Sequence, residues 1–503
     1  MTETKREIER KYEAPVADEG FGLPDLSRVA GVSAVIDKGV VDLDAVYYDT
    51  VDQRLAAAAI TLRRRTGGAD AGWHLKLPVS LAEGVRDEIR APLSDDVPRD
   101  LTGLVRSRVR EADLVPLMRL RSSRDVRDLT GADGALLAEV SVDGVRAERL
   151  FGGAGAAAWT EIEVELADGG DPAFLGKVEK KLRKAGASRS ASPSKLARAL
   201  TETGIGPRPP RPAHDPETPA DHVLAYLRVQ RDAIVDLDPA VRRDLPDAVH
   251  QMRVATRRLR SALRSYRKIL DRAVTDPIGD ELKWIAGELG VDRDQEVLTE
   301  RLTAALGTLP RELSAGPVRT RLRTWSRARR SGSRHRLIAV LDGKRYLALL
   351  AALDALVDAP PLRAEQPEDA LAKAVLRDYK RLAGHVEGAL AEDSGAARDL
   401  ALHNARKAAK RSRYAAEVAA PALGEQAEQV GKHAKALQTL LGEHQDSVMA
   451  REALRDLAAQ AHAAGESSFT YGVLYGREEA LAERAEEELP PLWAKAVSWP
   501  RYA

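Results

Sequence analysis

A stretch rich in proline and glycine, Gly204-Ile-Gly-Pro-Arg-Pro-Pro-Arg-Pro-Ala-His-Asp-Pro-Glu-Thr-Pro219, interrupts the chain. Proline fits neither a helix interior nor a central strand, so this segment can only be an extended, stiff connection. The two sides differ in their hydrophobic period. Before it, short alternating segments are divided by Gly, Asp and Pro, a β pattern. After it run long Ala/Leu/Arg/Glu-rich stretches with a period near 3.6, a helical pattern. At 503 residues the chain exceeds one compact core. The expected organisation is a β domain over 1–203, a linker over 204–219 and a helical domain over 220–503.

The helical part repeats itself. Ala248-Val-His-Gln-Met-Arg-Val-Ala-Thr-Arg-Arg-Leu-Arg260 matches Ala401-Leu-His-Asn-Ala-Arg-Lys-Ala-Ala-Lys-Arg-Ser-Arg413 at identical spacing, and Leu289-Gly290-Val-Asp-Arg-Asp294 matches Leu441-Gly442-Glu-His-Gln-Asp446. Two motifs recurring in one order imply two copies of a helical unit, about 220–360 and 365–503.

In the β part, charges fall at alternate positions. The sets are Glu7, Glu9 and Lys11; Arg63 and Arg65; His74 and Lys76; Arg86, Glu88 and Arg90; Arg119 and Arg121; Glu139, Ser141 and Asp143; Glu161, Glu163 and Glu165. Period-2 alternation puts each set on one sheet face. A solvated outer face usually mixes Thr, Ser, Gln and Lys, whereas in these strands Arg and Glu dominate. A closed barrel with a charged lumen brings the opposite signs together. Its carboxylates suit Mg²⁺, and its Arg and Lys suit a condensed phosphate.

Glu7-Ile-Glu9-Arg-Lys11 resembles the ExExK signature of the CYTH family of triphosphate tunnel metalloenzymes. Tyr47-Tyr-Asp-Thr50, Leu62-Arg-Arg-Arg65, Trp73-His-Leu-Lys76, Arg86-Asp-Glu88, Glu161-Ile-Glu163-Val-Glu165 and Ser194-Lys195 extend the resemblance. It implies an antiparallel eight-stranded tunnel with flanking helices that cleaves triphosphates with Mg²⁺ or Mn²⁺. It further implies metal-facing Glu7, Glu9, Glu161 and Glu163, and a phosphate cradle of Lys11, Arg63, Arg65, Lys76, Arg86 and Arg121. Glu88, Glu139 and Asp143 would be further lumen acids. Arg90 stands where an acid is expected and Arg64 where an apolar residue is usual.

On a helix, Arg253, Arg257, Arg260, Arg264 and Arg267 fall with His250 within about a 100° arc. Met252, Leu259, Leu263, Tyr266 and Leu270 point away from it. His403, Arg406, Lys410 and Arg413 form the matching stripe, flanked by Lys407, Arg411 and Tyr414 and interrupted by Glu417. No acid lies between Arg253 and Lys268. Such a run favours a polyanion over a solvated face, which would carry i,i+4 ion pairs. These motifs, with Leu289-Gly-x-x-Arg293-Asp294 and Gln438-x-x-Leu-Gly442-x-x-x-Asp446, resemble the CHAD family. That resemblance implies an all-helical domain of two pseudo-symmetric bundles that binds inorganic polyphosphate through His250, Arg253, Arg257, Arg260, Arg264, His403, Arg406, Lys407, Lys410 and Arg413.

Composition narrows the rest. The net charge is +1, so any anion site arises from local segregation. There is no cysteine, which excludes thiolate catalysis and Cys-type zinc sites. Aromatics make up 4% and do not interleave with the stripes, against nucleic acid as a partner. The first residues carry no apolar core and no segment could span a bilayer, so a cytoplasmic protein associated with polyphosphate granules is expected. The expected activity is metal-dependent hydrolysis of tripolyphosphate, with the helical domain recruiting the enzyme to long-chain polyphosphate. The alternative is a polyphosphate-binding, granule-targeting protein with an inert barrel.

Overall fold

A computed structural model of the chain describes residues 3–14, 22–79, 84–206 and 215–497. Within helices it leaves the side chains of 291–295, 328–333 and 496–497 undescribed, so Arg293 and Asp294 lie outside it, as do residues 207–214 of the linker. The chain divides into two compact units, Met1–Ala213 and His214–Ala503.

The first unit contains strands β1 (Glu3–Glu13), β2 (Ala34–Asp49), β3 (Thr61–Thr66), β4 (Gly72–Pro78), β5 (Val85–Ala91), β6 (Val115–Thr130), β7 (Leu136–Arg149), β8 (Ala156–Leu166) and β9 (Ser188–Arg189). Its helices are α1 (Arg54–Ala57), α2 (Arg99–Val109), α3 (Ala173–Lys184) and α4 (Lys195–Glu202). The strand order is β5-β4-β3-β2-β6-β7-β8-β1, and β1 also pairs with β5, so eight antiparallel strands close into a barrel; β9 adds two residues to the end of β1. Closure removes every sheet edge. It depends on Gly84 (φ +80°), whose carbonyl accepts from Glu9 N at 3.0 Å and where any Cβ would lie 2.4 Å from Glu9 O.

The barrel is polar inside and apolar outside. Tyr12, Val140, Ile162 and Val164 pack outward under Phe174, Val178 and Leu182 of α3. Leu62, Trp73, Leu75 and Ile89 pack under Leu101 and Val105 of α2. Burying a side chain of this size contributes about 1.5–3 kcal/mol, so the outer shell drives folding and frees the lumen for charge. One stretch of the wall breaks the rule: Tyr47, Met118, Leu120, Val145 and Trp159 pack with Leu196, Ala199 and Leu200 of α4. Ser194 caps α4 by accepting from Ala197 N at 3.1 Å.

The second unit holds nine α-helices among the described residues: α5 (Pro219–Arg242), α6 (Ala248–Ser265), α7 (Arg272–Gly307), α8 (Val318–Asp342), α9 (Lys344–Asp358), α10 (Ala370–Ala391), α11 (Ala396–Leu423), α12 (Glu425–Ala463) and α13 (Phe469–Val497). The linker ends in a capping box, Thr218 with Asp221, and Pro219 opens α5 where its missing N–H costs nothing. Met252, Leu259, Leu263, Tyr266 and Leu270 are all buried, as the helical arc requires. The largest apolar cluster takes Val223 and Leu259 from the first repeat and Ala416 and Val430 from the second. The two repeats therefore share a core, and Tyr266 clasps them by donating to Ala415 O at 2.6 Å.

Candidate functional site

The barrel encloses a cavity of about 440 Å³. Glu7, Glu9, Lys11, Arg63, Arg65, Lys76, Arg86, Glu88, Arg90, Glu139 and Glu163 line it, so most of the alternating charges converge there. Glu161 is buried beside it, 3.2 Å from Lys195 and 3.8 Å from Lys11. Asp143 is 3.0 Å from Lys195. Arg86 donates to the Ala59 carbonyl at 2.6 Å. Arg64 lies on the outside, donating to Ser94 O at 3.0 Å.

Arg121 does not join them. Its side chain is 57% exposed, 3.7 Å from Asp44, and borders a different, outer cavity with Arg119 and Arg146. The inner wall beside α4 is apolar, so Met118 and Leu120 point inward and the arginines between them point out. The same parity carries Arg124 into the lumen, where it pairs with Asp143 at 2.7 Å and Glu163 at 2.7 Å. Arg124, Lys195, Lys5 and Lys38 are lumen cations missing from the expected set. Lys195 had its signal in Ser194-Lys195; Arg124 follows Ser122 and Ser123, which hide the alternation.

Opposite charges saturate one another. Glu163 meets Lys11, Lys195 at 2.6 Å and Arg124. Burial would raise its carboxyl, but these three cations outweigh burial and hold it well below the usual range. Lys76 lies 2.5 Å from Glu7 and 3.8 Å from Glu88. Burial raises Glu7 to about 7 against the pull of Lys76. Arg63 reaches Tyr47 at 3.3 Å and Glu88 at 3.5 Å, and Arg90 meets Glu88 at 2.6 Å. Behind Glu88, buried His74 places Nδ1 2.9 Å from its carboxylate and Nε2 2.9 Å from the Asp70 carbonyl. A carbonyl only accepts, so Nε2 carries a hydrogen and the Nδ1 contact must hold a second proton. Burial lowers His74 to about 4, while the hydrogen bond from His74 and the charges of Lys76 and Arg63 overcome burial to keep Glu88 ionised. The hydrogen-bond geometry decides between these opposed tendencies: one proton stays in the pair.

Glu7 Oε2 and Glu161 Oε1 are buried and left with lysine partners, Lys76 at 2.5 Å from the first, Lys195 at 3.2 Å and Lys11 at 3.8 Å from the second. Carboxylate oxygens left so, in a lumen that also carries Arg and Lys, fit a hard divalent cation that shares its coordination with phosphate oxygens. Outside the barrel, Asp399, His444 and Glu486 bring three potential ligand atoms within 4.8 Å of one another. His444 Nε2 lies 3.3 Å from Asp399 and 3.1 Å from Glu486, and Arg451 and Arg398 hold the same carboxylates, so the group already clasps α11, α12 and α13.

In the second unit, α6 and α11 lay their stripes along one groove. A cavity of about 590 Å³ is lined by His250, Arg253, Arg257, His403, Arg406, Lys407, Lys410 and Arg413. An adjoining one of about 530 Å³ shares Arg257, Lys407 and Lys410 and adds Arg260 and Arg264. All ten expected residues are thus brought together. Lys283, Arg381 and His385, from α7 and α10, also line it; they lie outside the repeated motifs, which is why the sequence did not single them out. Glu417, the acid in the second stripe, pairs with Arg413 at 2.8 Å and Arg258 at 3.2 Å. Lys410 is pushed down to about 6 by burial and then by Arg257, Arg406 and Arg253. Among the described residues no helix is long and apolar enough to cross a membrane.

A family model described as "CYTH domain" matches residues 5–200, and one described as "CHAD domain" matches residues 225–455. An uncharacterized protein from two Mycobacterium tuberculosis strains is 42% identical over 501 residues, covering 96% of this chain and 94% of the relative. Among solved structures, the CHAD domain from the plant Ricinus communis aligns at 25% identity over 56% of this chain and 93% of that one, with a TM-score of 0.46. PptA from Streptomyces chartreusis aligns at 21% identity over 55% of this chain and all of that one, with a TM-score of 0.47.

Proposed function

The chain belongs to the CYTH family through its first unit and to the CHAD family through its second, and from that premise we propose a metal-dependent inorganic triphosphatase whose helical domain holds polyphosphate. CYTH members are enzymes, triphosphatases and cyclases among them, and typically depend on Mg²⁺ or Mn²⁺. The observation that carries the hydrolytic reading is the lumen itself: the carboxylates of Glu7, Glu9 and Glu163 and a ring of Arg and Lys face one cavity.

Arg63, Arg65, Lys76, Arg86 and Arg124 hold the phosphate oxygens from several sides, with Lys11 and Lys195 nearest the acids. Glu7, Glu9, Glu161 and Glu163 would hold the metal, which would supply charge neutralisation and orientation of the attacking water. Bound phosphate would take over the cations of the internal ion pairs, and the acids so released would be free to hold a metal. The arginines sit where charge accumulates on the transferred phosphoryl group and need no rearrangement as it does so. Glu88, among three cations and backed by His74, belongs to the phosphate side of the lumen.

The functional boundaries we assign are 1–203, 204–219 and 220–503, in a cytoplasmic protein. The test is phosphate release with Mg²⁺ or Mn²⁺ across tripolyphosphate, long polyphosphate, nucleoside triphosphates and thiamine triphosphate. Turnover strongest on tripolyphosphate supports the reading. Binding of polyphosphate with no turnover on any of these substrates replaces it with a polyphosphate-binding protein whose barrel is inert.

A further inference from the structure

We propose that Gly290 and Gly442 are positioning residues for the groove, each leaving the space in which a repeat-related arginine lays its guanidinium against the neighbouring helix. Both stand inside long helices, α7 and α12, where glycine is the poorest helix former after proline. Neither has a positive φ, so the backbone does not call for glycine. The neighbours do. A Cβ on Gly290 would come 3.0 Å from Nη2 and 3.1 Å from Cζ of Arg253. One on Gly442 would come 3.3 Å from Nη2 of Arg406. The other glycines of these helices differ: Gly279, Gly287 and Gly307 in α7 have nothing within 4 Å, and Gly431 in α12 has only an ordinary contact at 3.7 Å.

The coincidence occurs twice. Arg253 and Arg406 are equivalent in the repeat, and so are Gly290 and Gly442. The repeat therefore preserves a pair, an arginine and the gap that receives it. Both arginines line the groove; neither glycine does. The glycines act through the arginines. A guanidinium seated flat on a helix surface is ordered before the polyanion arrives, so binding does not pay again for its rotamer freedom. A methyl group at either site displaces the head and returns that cost to the binding step.

This inference rests on polyphosphate binding by the groove, and the experiment separates the two. The full chain and its variants are titrated with long-chain polyphosphate at fixed salt, and their thermal midpoints are recorded. Gly290→Ala and Gly442→Ala should each weaken binding by about threefold to tenfold, the ordering term of one long side chain. Their thermal midpoints should stay or rise, because alanine favours the helix. Gly287→Ala, in the same helix with open space, should leave affinity unchanged. In an Arg253→Ala background, Gly290→Ala should cost no further affinity, since its only route is gone. An unchanged affinity in Gly290→Ala, or an equal loss in the Arg253→Ala background, overturns the positioning role alone. Failure of the wild-type chain to bind overturns the groove reading and this one with it.

Discussion

The tunnel and the groove use the same cations in opposite ways. In the tunnel nearly every Arg and Lys lies against a carboxylate: Glu163 alone meets Lys11, Lys195 and Arg124. In the groove the acids are few: Asp446 lies 3.7 Å from Arg406, and Glu417 is tied to Arg413. Two like charges about 4 Å apart repel by roughly 4 kcal/mol at an effective dielectric near 20, enough to drive a buried lysine toward neutrality. Lys410, pushed down to about 6 by burial first and then by its neighbouring cations, carries part of that cost; Lys11, buried among three glutamates, is shifted the other way. A balanced site is stable when empty and admits a ligand by exchange, an anion together with a cation. An unbalanced site waits for an anion alone. The tunnel is accordingly suited to a metal–triphosphate and the groove to a bare polyanion.

The sharpest way to break this contrast is to remove one carboxylate. Glu9→Gln keeps the shape of the lumen but deletes a charge that a metal requires. Turnover of tripolyphosphate should fall by about 100-fold or more, the scale of losing a group that stabilises transition-state charge. Groove affinity for long polyphosphate should be unchanged. Full turnover at saturating metal would remove Glu9 from the metal site. The converse variant, Arg253→Ala with Arg406→Ala, should weaken polyphosphate binding by about 100-fold, from two lost charge-assisted bonds. It should also flatten the salt dependence and leave tripolyphosphate turnover within about twofold. Salt-independent binding would mark the stripes as ordinary solvated faces.

The lysine at the centre of the groove gives a smaller, graded effect. Free Lys410 titrates near 6, and an anion favours its charged form, so its pKa rises on binding. Between pH 6 and the bound value, binding takes up a proton and affinity falls as pH increases, by at most about tenfold per pH unit. His403 is also lowered, by burial first and then by Lys407. Lys410→Arg keeps the charge at every pH and should abolish the slope above pH 7. A slope that persists in Lys410→Arg assigns the proton elsewhere.

Much of this contrast was legible in the sequence because both sites are periodic. Glu7, Glu9 and Lys11 are forced to one side of β1 by the pleat, and Arg253 through Arg264 to one side of α6 by the helical turn. What escaped had no period to reveal it. Lys283, Arg381 and His385 reach the groove from α7 and α10 only through the packing of helices. Pairing within the lumen escaped too: alternation shows that Lys11 and Glu163 share a face, while only the register, Lys11 opposite Glu163, shows that they meet.

The smallest expected effect tests the one strand read with the wrong parity. On β6 the alternation of Arg119 and Arg121 with Met118 and Leu120 is real, and charge as the sign of the lumen predicts that both arginines face inward. Beside α4 the sign reverses, because Leu196 and Leu200 fill that part of the inner wall and demand apolar neighbours. Arg121 then lies outside with Asp44, and exposed pairs of this kind contribute about 0–1 kcal/mol. Arg121→Ala should change neither KM nor kcat for tripolyphosphate by more than about twofold, and stability by less than about 1 kcal/mol. Arg124→Ala is the contrast. It strips buried Asp143 and Glu163 of a shared cation and should lower kcat/KM by about tenfold or more, with a measurable loss of stability. Steady-state kinetics and thermal melts of the two variants side by side decide the matter. A kinetic defect in Arg121→Ala as large as that in Arg124→Ala would put both arginines at the substrate and undo the parity that separates the outer wall of β6 from its inner one.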